Sequence, residues 1–333
     1  MSPSLRVLVT ESSGFSPEAL AILRELGEVE LGDLDFDQLW ALAPEFDVLW
    51  VRLRHRIDSA LLDHAPRLRA IATPTTGLNH IDMEGAAKRD VQVFSLRGEV
   101  EFLKDVRATA EHTIALMLGL LRKLPAATAS VRDGAWERDS FKGAELYQKT
   151  VGIVGYGRVG RIVGRYLRAF GAHVLVTDPR VDPESSQEDV EIVSLSELLS
   201  RSDLVTVHVD LRMDTANFFG WDEFRRMKPG AWFVNTSRGE LVVEEALLEA
   251  LASGHLSGAA LDVLKGEIGN EAAKSALARY AREHNRLLIT PHIGGCTFES
   301  MEKTEIFLAK RVLSALRPVH QTALPVPSQA AVV

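Results

Sequence analysis

Three ionisable residues, Arg238, Glu267 and His292, each follow a short apolar run and carry the reactive chemistry of this sequence. A histidine takes up and returns a proton near neutral pH, and a carboxylate bonded to its other ring nitrogen fixes the tautomer and favours the imidazolium. An arginine grips a carboxylate with two hydrogen bonds and polarises a ketone oxygen. Together these groups suit the oxidation of an alcohol next to a carboxylate, in which a hydroxyl proton and a hydride both leave.

A glycine pattern indicates where the molecule that exchanges the hydride would bind. Gly155-Tyr156-Gly157-Arg158-Val159-Gly160 has the spacing G-x-G-x-x-G between an apolar run and a helical segment at 161–170. The first glycine permits a tight turn, the second lets the backbone approach a pyrophosphate, and the third packs the helix against its strand. Asp178 ends the next apolar run, where a carboxylate accepts from a ribose 2′-OH and repels a 2′-phosphate. The pattern predicts a dinucleotide site that takes NAD; an ordinary glycine turn is the alternative.

The elements that position these residues follow from the alternation of apolar runs and amphipathic segments. Ligands of an open parallel sheet bind beyond the carboxyl ends of its strands, so residues directly after strands converge there. Asp262 ends the sixth run and competes with Glu267 as the partner of His292; we expect it to contact the nicotinamide carboxamide instead. The predicted strands of this doubly wound, Rossmann-type sheet are 151–154, 173–177, 191–193, 204–208, 231–235, 258–262 and 287–290.

The first hundred residues show a shorter alternation of the same kind, which predicts a smaller, flavodoxin-like α/β domain. A long helix at 108–122, ended by Pro125, joins the two units, and a helix at 301–316 returns to the first. We expect a substrate domain of 1–98 with 296–333 and an NAD-binding domain of 99–295. The predicted elements of the smaller domain are strands at 6–10, 47–51, 68–73 and 91–96 and helices at 17–26, 58–65 and 83–89.

Composition limits the partners. A net charge of −8 without a basic run argues against nucleic-acid binding, and no apolar stretch is long enough to predict a membrane span. Cys296 is the only cysteine, which excludes an intrachain disulfide and favours a cytoplasmic protein. The His, Cys, Asp and Glu residues have no metal-ligand spacing, so we expect no metal. His112 follows the start of the long helix, where we expect it to pack or cap.

The chain resembles the D-isomer-specific 2-hydroxyacid dehydrogenases, the family of phosphoglycerate, glycerate and D-lactate dehydrogenases. The resemblance implies that Arg238 binds substrate, that Glu267 pairs with His292, and that His292 donates and accepts the proton. It implies backbone N–H groups for the substrate carboxylate at Thr76, Gly77 and Leu78, a homodimer, and cofactor contacts at Arg158, Val159, Asp178, Val209, Thr215, Thr236 and Asp262. The matching segments are 76–82, 110–113, the glycine pattern, 235–239, 258–263 and 290–295.

The chain departs from the family pattern at several points. Asp210, in place of a usual proline, puts a carboxylate near the cofactor and further disfavours a 2′-phosphate. Ile268 replaces the proline that usually follows the glutamate, which weakens the case for Glu267. Arg52 and Arg54 follow a strand of the first domain. Two roles fit this position: binding a second anionic group of the substrate, or serving as exposed charges of a loop.

These features predict an NAD-dependent oxidoreductase that interconverts a D-2-hydroxy acid and its 2-keto acid. One alternative keeps the fold and cofactor but oxidises a small oxyanion such as formate or phosphite. Another is a non-catalytic protein that senses NADH and recruits partners. The loop at 97–101, which replaces a usual proline-glycine loop facing the cleft, is where we expect substrate identity to be encoded.

Overall fold

The computed structural model describes residues 4–181, 190–268 and 271–317. The first part of the chain forms β1 (Leu5–Val9), α1 (Pro17–Arg24), β2 (Gly27–Leu31), α2 (Phe36–Leu42), β3 (Val48–Trp50), α3 (Ser59–His64), β4 (Ala70–Ala72), α4 (Met83–Lys88), β5 (Gln92–Phe94) and α5 (Val100–Leu103). Two helices follow, α6 (Ala108–Leu121) and α7 (Leu124–Arg132).

The rest of the chain forms β6 (Thr150–Val154), α8 (Arg158–Ala169), β7 (His173–Thr177), β8 (Glu191–Ile192), α9 (Leu195–Arg201), β9 (Leu204–Val207), α10 (Trp221–Arg226), β10 (Ala231–Asn235), α11 (Glu244–Ala252), β11 (Leu256–Leu261), α12 (Ala276–Glu283), β12 (Leu287–Ile289) and α13 (Phe298–Leu316).

The smaller sheet has five parallel strands in the order β2-β1-β3-β4-β5. This is the flavodoxin-like order, which confirms the predicted fold class of the first part. The sequence-based assignment omitted β2 and α2. Strand β2 lies at the edge of the sheet and buries none of its residues, so its five residues carry little of the apolar signal that marks the central strands.

The larger sheet has seven parallel strands in the order β12-β11-β10-β9-β6-β7-β8. Numbered from β6, this is the doubly wound order 3-2-1-4-5-6 with one more strand, and the predicted Rossmann-type sheet is confirmed. Helix α7 was not predicted. Pro125 does not end the long helix: α6 stops at Leu121, Lys123 turns the chain at φ 53°, and Pro125 lies in the first turn of α7. Proline is tolerated there because first-turn N–H groups have no helical partner.

The last helix, α13, returns to the first sheet, as the apolar face at its centre predicts. Leu308, Ala309 and Val312 are buried in one cluster with Val7 and Val9 of β1. This packing supports the division into 1–98 with 296–333 and 99–295, which stays a prediction; residues 1–3 and 318–333 of that division lie outside the described residues.

Within the described ranges no single helix is long and apolar enough to cross a membrane, although one bent pair, Val100–Leu121 with Leu124–Arg132, has the length and composition. The same residues contain no group of three His, Cys, Asp or Glu side chains that could hold a metal ion.

Candidate active site

His292 and Glu267 are in hydrogen-bonding contact beyond the carboxyl ends of β11 and β12. Nδ1 of His292 lies 2.8 Å from Oε1 of Glu267, and both side chains are about four-fifths buried. The contact occupies Nδ1 and leaves Nε2 as the ring nitrogen that can meet a substrate. The sequence alone had left Asp262 in competition with Glu267 for this position.

The backbone around His292 is held by Asp262, which directly follows β11. His292 has a left-handed φ of 53°, an uncommon conformation for a residue other than glycine. The Asp262 carboxylate accepts hydrogen bonds from the N–H groups of Ile293 (2.9 Å) and Gly294 (2.7 Å) and from the Thr290 hydroxyl (2.6 Å). Burial raises the pKa of Asp262, but hydrogen bonds, led by that from His112, outweigh it and hold the pKa below its ordinary value. Asp262 therefore fixes the turn that presents His292; its contact with the nicotinamide stays a prediction.

Arg238 follows β10 and reaches across to the smaller domain. Asn235 shapes its turn, because the side-chain amide donates to the Arg238 carbonyl (2.9 Å) and its oxygen accepts from the N–H of Ser237 (3.0 Å). The guanidinium donates through Nε to Oδ1 of Asn79 at 3.2 Å. Burial lowers the pKa of Arg238, and the nearby Glu267 carboxylate is the strongest influence in the opposite direction. An arginine remains charged under such a shift, so a cation faces the His292–Glu267 pair.

The predicted carboxylate-binding loop lies directly against this cation. A Cβ atom at Gly77 would lie 1.8 Å from Nη2 of Arg238, so only glycine lets the loop backbone and the guanidinium approach so closely. Thr76 is exposed and Leu78 is buried. The Thr75 hydroxyl donates to the Gly77 carbonyl at 2.8 Å and stiffens the loop.

His80 lies beneath the same loop and is fully buried. Burial, followed by the positive charges of Arg238 and His292, lowers the pKa of His80 to about 4. Its Nε2 contacts the Thr73 hydroxyl at 3.2 Å. The ring is therefore neutral at physiological pH, and it lies close enough to Arg238 and His292 for their charges to affect its pKa.

The glycine pattern fits a dinucleotide pyrophosphate. A Cβ at Gly155 would lie 2.7 Å from the His208 carbonyl carbon, and one at Gly160 would lie 2.2 Å from the Gly155 oxygen, so both positions require glycine for packing. A Cβ at Gly157 would instead meet only Arg180, at 4.0 Å, among the described atoms. The second glycine thus borders open space at the start of α8, where helix N–H groups favour phosphate.

Asp178 lies at the carboxyl end of β7, as predicted. Its carboxylate accepts from the N–H of Tyr156 (2.9 Å) and the N–H of Arg180 (2.9 Å), and the Arg180 guanidinium lies 3.3 Å away. Burial raises the pKa of Asp178, but the hydrogen bonds from Arg180 and Tyr156 outweigh it and keep the pKa below its usual value. An ionised carboxylate at this position suits a ribose hydroxyl and opposes a 2′-phosphate.

The remaining predicted cofactor residues border the same edge. Arg158 donates to the Val106 carbonyl at 2.8 Å, which ties the glycine pattern to the chain before α6. The Thr215 hydroxyl accepts from the N–H of Arg212 and closes a turn beyond the partly exposed Val209. Val159 lies in the first turn of α8. Their contacts with NAD stay predictions.

Helix α6 holds both reactive loops, which the sequence did not reveal. Nε2 of His112 lies 3.0 Å from the Thr290 hydroxyl and 3.2 Å from Oδ1 of Asp262. The Thr113 hydroxyl, on the next residue of the helix, lies 2.8 Å from the hydroxyl of Thr236, two residues before Arg238. His112 was predicted to pack or cap; it instead links α6 to the turn of His292.

Arg52 and Arg54 lie at the carboxyl end of β3 in contacts of their own. The Arg52 guanidinium lies 2.5 Å from Glu305 of α13, and Arg54 donates to the Leu34 carbonyl at 3.2 Å. The backbone N–H groups of both arginines donate to Glu11. Neither Glu11 nor Glu305 was singled out from the sequence.

Comparison with known proteins assigns the family. Residues 114–294 match the family model described as "D-isomer specific 2-hydroxyacid dehydrogenase, NAD binding domain". The chain is 32% identical to the hydroxypyruvate reductase of Thermotoga maritima over 93% of this chain and 98% of that protein. The chain belongs to the D-isomer specific 2-hydroxyacid dehydrogenase family. The sequence-based resemblance and the NAD-binding Rossmann fold are thereby confirmed.

Two further members of the family show different lengths and substrates. The chain is 37% identical to D-3-phosphoglycerate dehydrogenase of Mycobacterium tuberculosis over 90% of this chain but only 55% of that protein. It thus spans about half the length of the phosphoglycerate dehydrogenases it matches. A crystal structure of D-lactate dehydrogenase from Aquifex aeolicus with NAD and lactic acid superposes with a TM-score of 0.81 at 26% identity, over 93% of this chain and 95% of that one.

Proposed function

We propose that this protein is an NAD-dependent oxidoreductase that interconverts a D-2-hydroxy acid and its 2-keto acid. The observation that carries the proposal is the contact of His292 Nδ1 with Glu267 at 2.8 Å, near a partly buried Arg238 that lies against Gly77. This arrangement joins a proton carrier, its orienting carboxylate and a carboxylate-binding cation in one cleft. Family members named for hydroxypyruvate, phosphoglycerate and lactate support the substrate class.

Each residue has a distinct task in the proposed reaction. Glu267 holds the ring of His292 so that Nε2 gives a proton to the carbonyl oxygen during reduction and takes it back during oxidation. Arg238 binds the carboxylate and carbonyl oxygens, and the backbone N–H groups of Thr76, Gly77 and Leu78 complete the carboxylate site. NAD, when bound, supplies the nicotinamide that exchanges the hydride. Closing the cleft excludes water and strengthens these polar contacts.

The proposal is tested by mixing the purified chain with NADH and a panel of 2-keto acids, including glyoxylate, pyruvate and hydroxypyruvate. We expect NADH oxidation with at least one of them, and a product of D configuration where the product is chiral. The matched control is His292→Ala, purified identically, which accounts for contaminating dehydrogenases.

Two outcomes would replace the proposal by its alternatives. Tight NADH binding without reduction of any 2-keto acid would favour a sensor of NADH. Reduction of NAD by formate or phosphite, without turnover of a 2-hydroxy acid, would favour oxidation of a small oxyanion. Both are measured on the same preparation by fluorescence titration and by absorbance.

We further propose that the protein is a homodimer formed through the region around α7. Helix α7 buries none of its residues, and Leu124 and Val131 are each half exposed. Trp136, which follows the helix, is 89% exposed. An open groove of about 330 Å³ beside α7, lined by Leu116, Pro125 and the edge strand β12, offers an apolar surface to the same partner. A second copy that covers these residues removes an exposed apolar patch.

The oligomeric state is measured by sedimentation velocity over a range of protein concentrations. The double variant Val131→Ser, Trp136→Ser should shift the protein towards monomer. Phe298→Ser, at a position that is 92% exposed at the start of α13, is the control and should leave the mass unchanged. A wild-type monomer at all concentrations would contradict the proposal.

We also propose a cytoplasmic location, because a chain with one cysteine gains nothing from an oxidising compartment. Fractionation of the source cells with an antibody to the chain tests this location, and recovery outside the cytoplasm contradicts it.

A further inference from the structure

Arg52 lies beside the loop that we propose binds the substrate carboxylate. Strand β3 pairs with β4 in parallel, with Trp50 opposite Ala72, so the residues after these strands emerge side by side. Arg52 follows β3 by two residues, and Thr76 follows β4 by four. The carboxyl end of β3 is therefore where the far end of a longer substrate would arrive, once its carboxylate is held at 76–78.

The charge of Arg52 is already neutralised by a buried carboxylate from the other end of the chain. Its Nη2 lies 2.5 Å from Oε1 of Glu305 on α13, and its Nη1 donates to the Ser13 carbonyl at 3.0 Å. The Glu305 side chain is only 1% exposed, and that of Arg52 is 18% exposed. Glu305 also accepts from the N–H of Ser16 at 2.8 Å. A carboxylate this deeply buried depends on its cation, because removing one partner of a buried ion pair leaves an uncompensated charge.

The surrounding charges are also unfavourable for a second anion. Glu11 accepts the backbone N–H groups of Arg52 and Arg54, and Asp33 lies 3.8 Å from the Arg54 guanidinium. Among the described contacts of these two arginines, two cations thus face three carboxylates: Glu11, Asp33 and Glu305. An incoming phosphate or carboxylate would have to displace Glu305 from Arg52, which would leave a buried carboxylate unpaired.

We propose, on the basis of the function proposed above, that Glu305 is a specificity-determining residue that restricts this enzyme to 2-keto acids without a second anionic group. Hydroxypyruvate, glyoxylate and pyruvate belong to this class, and phosphorylated or dicarboxylic keto acids are excluded. The phosphoglycerate dehydrogenases that this chain matches would then be misleading guides to its substrate. Arg52 serves as the structural counter-ion of Glu305, and its alternative role in binding a second anion is open only once Glu305 is neutralised.

The test compares two substrates that differ by one phosphate, hydroxypyruvate and 3-phosphohydroxypyruvate. For the wild-type protein we expect kcat/KM to favour hydroxypyruvate by at least about tenfold, the size of one strong polar contact. Glu305→Gln keeps the shape of the side chain but removes its charge, and its single amide oxygen can accept from Arg52 or from the N–H of Ser16 but not from both. It should raise kcat/KM for the phosphorylated substrate by about fivefold or more and change that for hydroxypyruvate by less than about twofold.

Glu302→Gln is the matched control, because it removes one negative charge from an exposed position on the same helix. It should leave the ratio of the two substrates unchanged. The double variant Arg52→Gln, Glu305→Gln should also keep the wild-type preference, because the gain of Glu305→Gln depends on a freed Arg52. Thermal melting of each variant confirms that it is folded.

Binding provides a readout that does not depend on turnover. With NADH bound, D-glycerate and 3-phospho-D-glycerate form non-reacting complexes whose affinities are measured by calorimetry. We expect the wild type to bind D-glycerate more tightly and Glu305→Gln to narrow or reverse the ratio. If this binding preference is found but no keto acid is reduced, the proposed function fails and the role of Glu305 stands.

The role of Glu305 is overturned if wild-type protein binds or reduces the phosphorylated compound at least as well as its unphosphorylated partner. It is also overturned if Glu305→Gln, folded, leaves both ratios unchanged. Should Glu305→Gln fail to fold, the wild-type ratio alone decides.

Discussion

Each of the two sheets presents, at its carboxyl end, a basic side chain paired with a carboxylate, and the two pairs differ in the chemistry they can perform. On the larger sheet, His292 and Glu267 are 2.8 Å apart and border the cleft. On the smaller sheet, Arg52 and Glu305 are 2.5 Å apart and Glu305 is almost completely buried. A histidine exchanges its proton near neutral pH, whereas an arginine does not. The first pair can therefore take part in proton transfer, and the second only holds charge in a fixed place.

The difference assigns chemistry to the larger sheet and selection of substrate to the smaller one. All three proposed catalytic residues, Arg238, Glu267 and His292, follow strands of the larger sheet. The smaller sheet contributes a backbone loop, the Asn79 contact and the charges around Arg52. Four experiments test this division of labour.

The largest effect is expected for His292→Ala, which removes the proton carrier. We expect kcat to fall by about 10²–10⁴, the usual contribution of general acid–base catalysis, while the Kd for NADH changes by less than about twofold. Steady-state kinetics and fluorescence titration measure the two quantities. Turnover at the wild-type rate would mean that the larger sheet does not carry the proton transfer.

The second experiment compares, at acidic pH, one histidine that follows a strand of each sheet. Burial, chiefly, lowers the pKa of His80 to about 4 and that of His208 to about 3. Below pH 6.5 these two histidines are therefore protonated in the unfolded chain but still neutral in the folded chain. The free energy of unfolding consequently falls as pH falls. For His80 the loss reaches about 3 kcal/mol by pH 4.

Urea unfolding between pH 7 and pH 3 measures this loss. His80→Asn should flatten the pH dependence of the free energy of unfolding down to about pH 4, whatever its effect on stability at pH 7. His208→Asn should do the same and continue to do so down to about pH 3, which distinguishes the two sites. If the free energy of unfolding of His80→Asn had the same pH dependence as that of the wild type, the His80 ring of the wild-type protein would be protonated in the folded state.

The third experiment removes the link from α6 to the turn of His292. His112→Leu loses the contacts to Thr290 and Asp262. It should lower kcat by about tenfold because the turn that carries His292 loosens. The effect on KM for NADH should be smaller because the glycine pattern is unchanged. His112→Asn, which keeps a hydrogen-bonding amide, should restore much of kcat. Equal losses in both variants, or a loss in KM alone, would contradict a role in holding His292.

The smallest effect is expected for Asn79→Ala, which removes the contact from the smaller sheet to Arg238. KM for the keto acid should rise by about three- to fivefold, the cost of one hydrogen bond to a charged group that stays partly solvated, and kcat should change by less than about twofold. Asn79→Gln keeps an uncharged amide acceptor and is the control. A large loss of kcat would show that the smaller sheet also contributes to the chemistry.

The elements were predictable where burial is strong and less so at the margins. The central strands of both sheets are continuous apolar runs, and their order agrees with the predicted fold class. Strand β2 and helix α7 bury none of their residues, so their sequences lack the apolar periodicity on which the prediction relied. The predicted end of α6 agrees with the structure to within one residue, but the role given to Pro125 was wrong, because a proline in the first turn of the next helix looks, in sequence, like a terminator.

The candidate site was predictable where a residue's position relative to a strand end fixes its surroundings. Arg238 and His292 were placed by this rule, and the Glu267 contact agrees with it. The contact of His112 was not predicted, because the apolar residues of α6 give no information about which loop the polar side chain of His112 contacts. That loop lies 178 residues away in the chain.

The sequence by itself determined the glycine pattern, because it depends on local backbone sterics. It also determined the acidic residue at the end of β7 and the positions of the reactive residues after their strands, because these depend on the geometry of parallel strands. Tertiary structure alone decided the partner of Arg52. Helix α13 returns to the first sheet and brings Glu305 to Arg52 across 253 residues. A charge at a strand end looks free in the sequence, and only the folded chain shows that a buried carboxylate has already neutralised it.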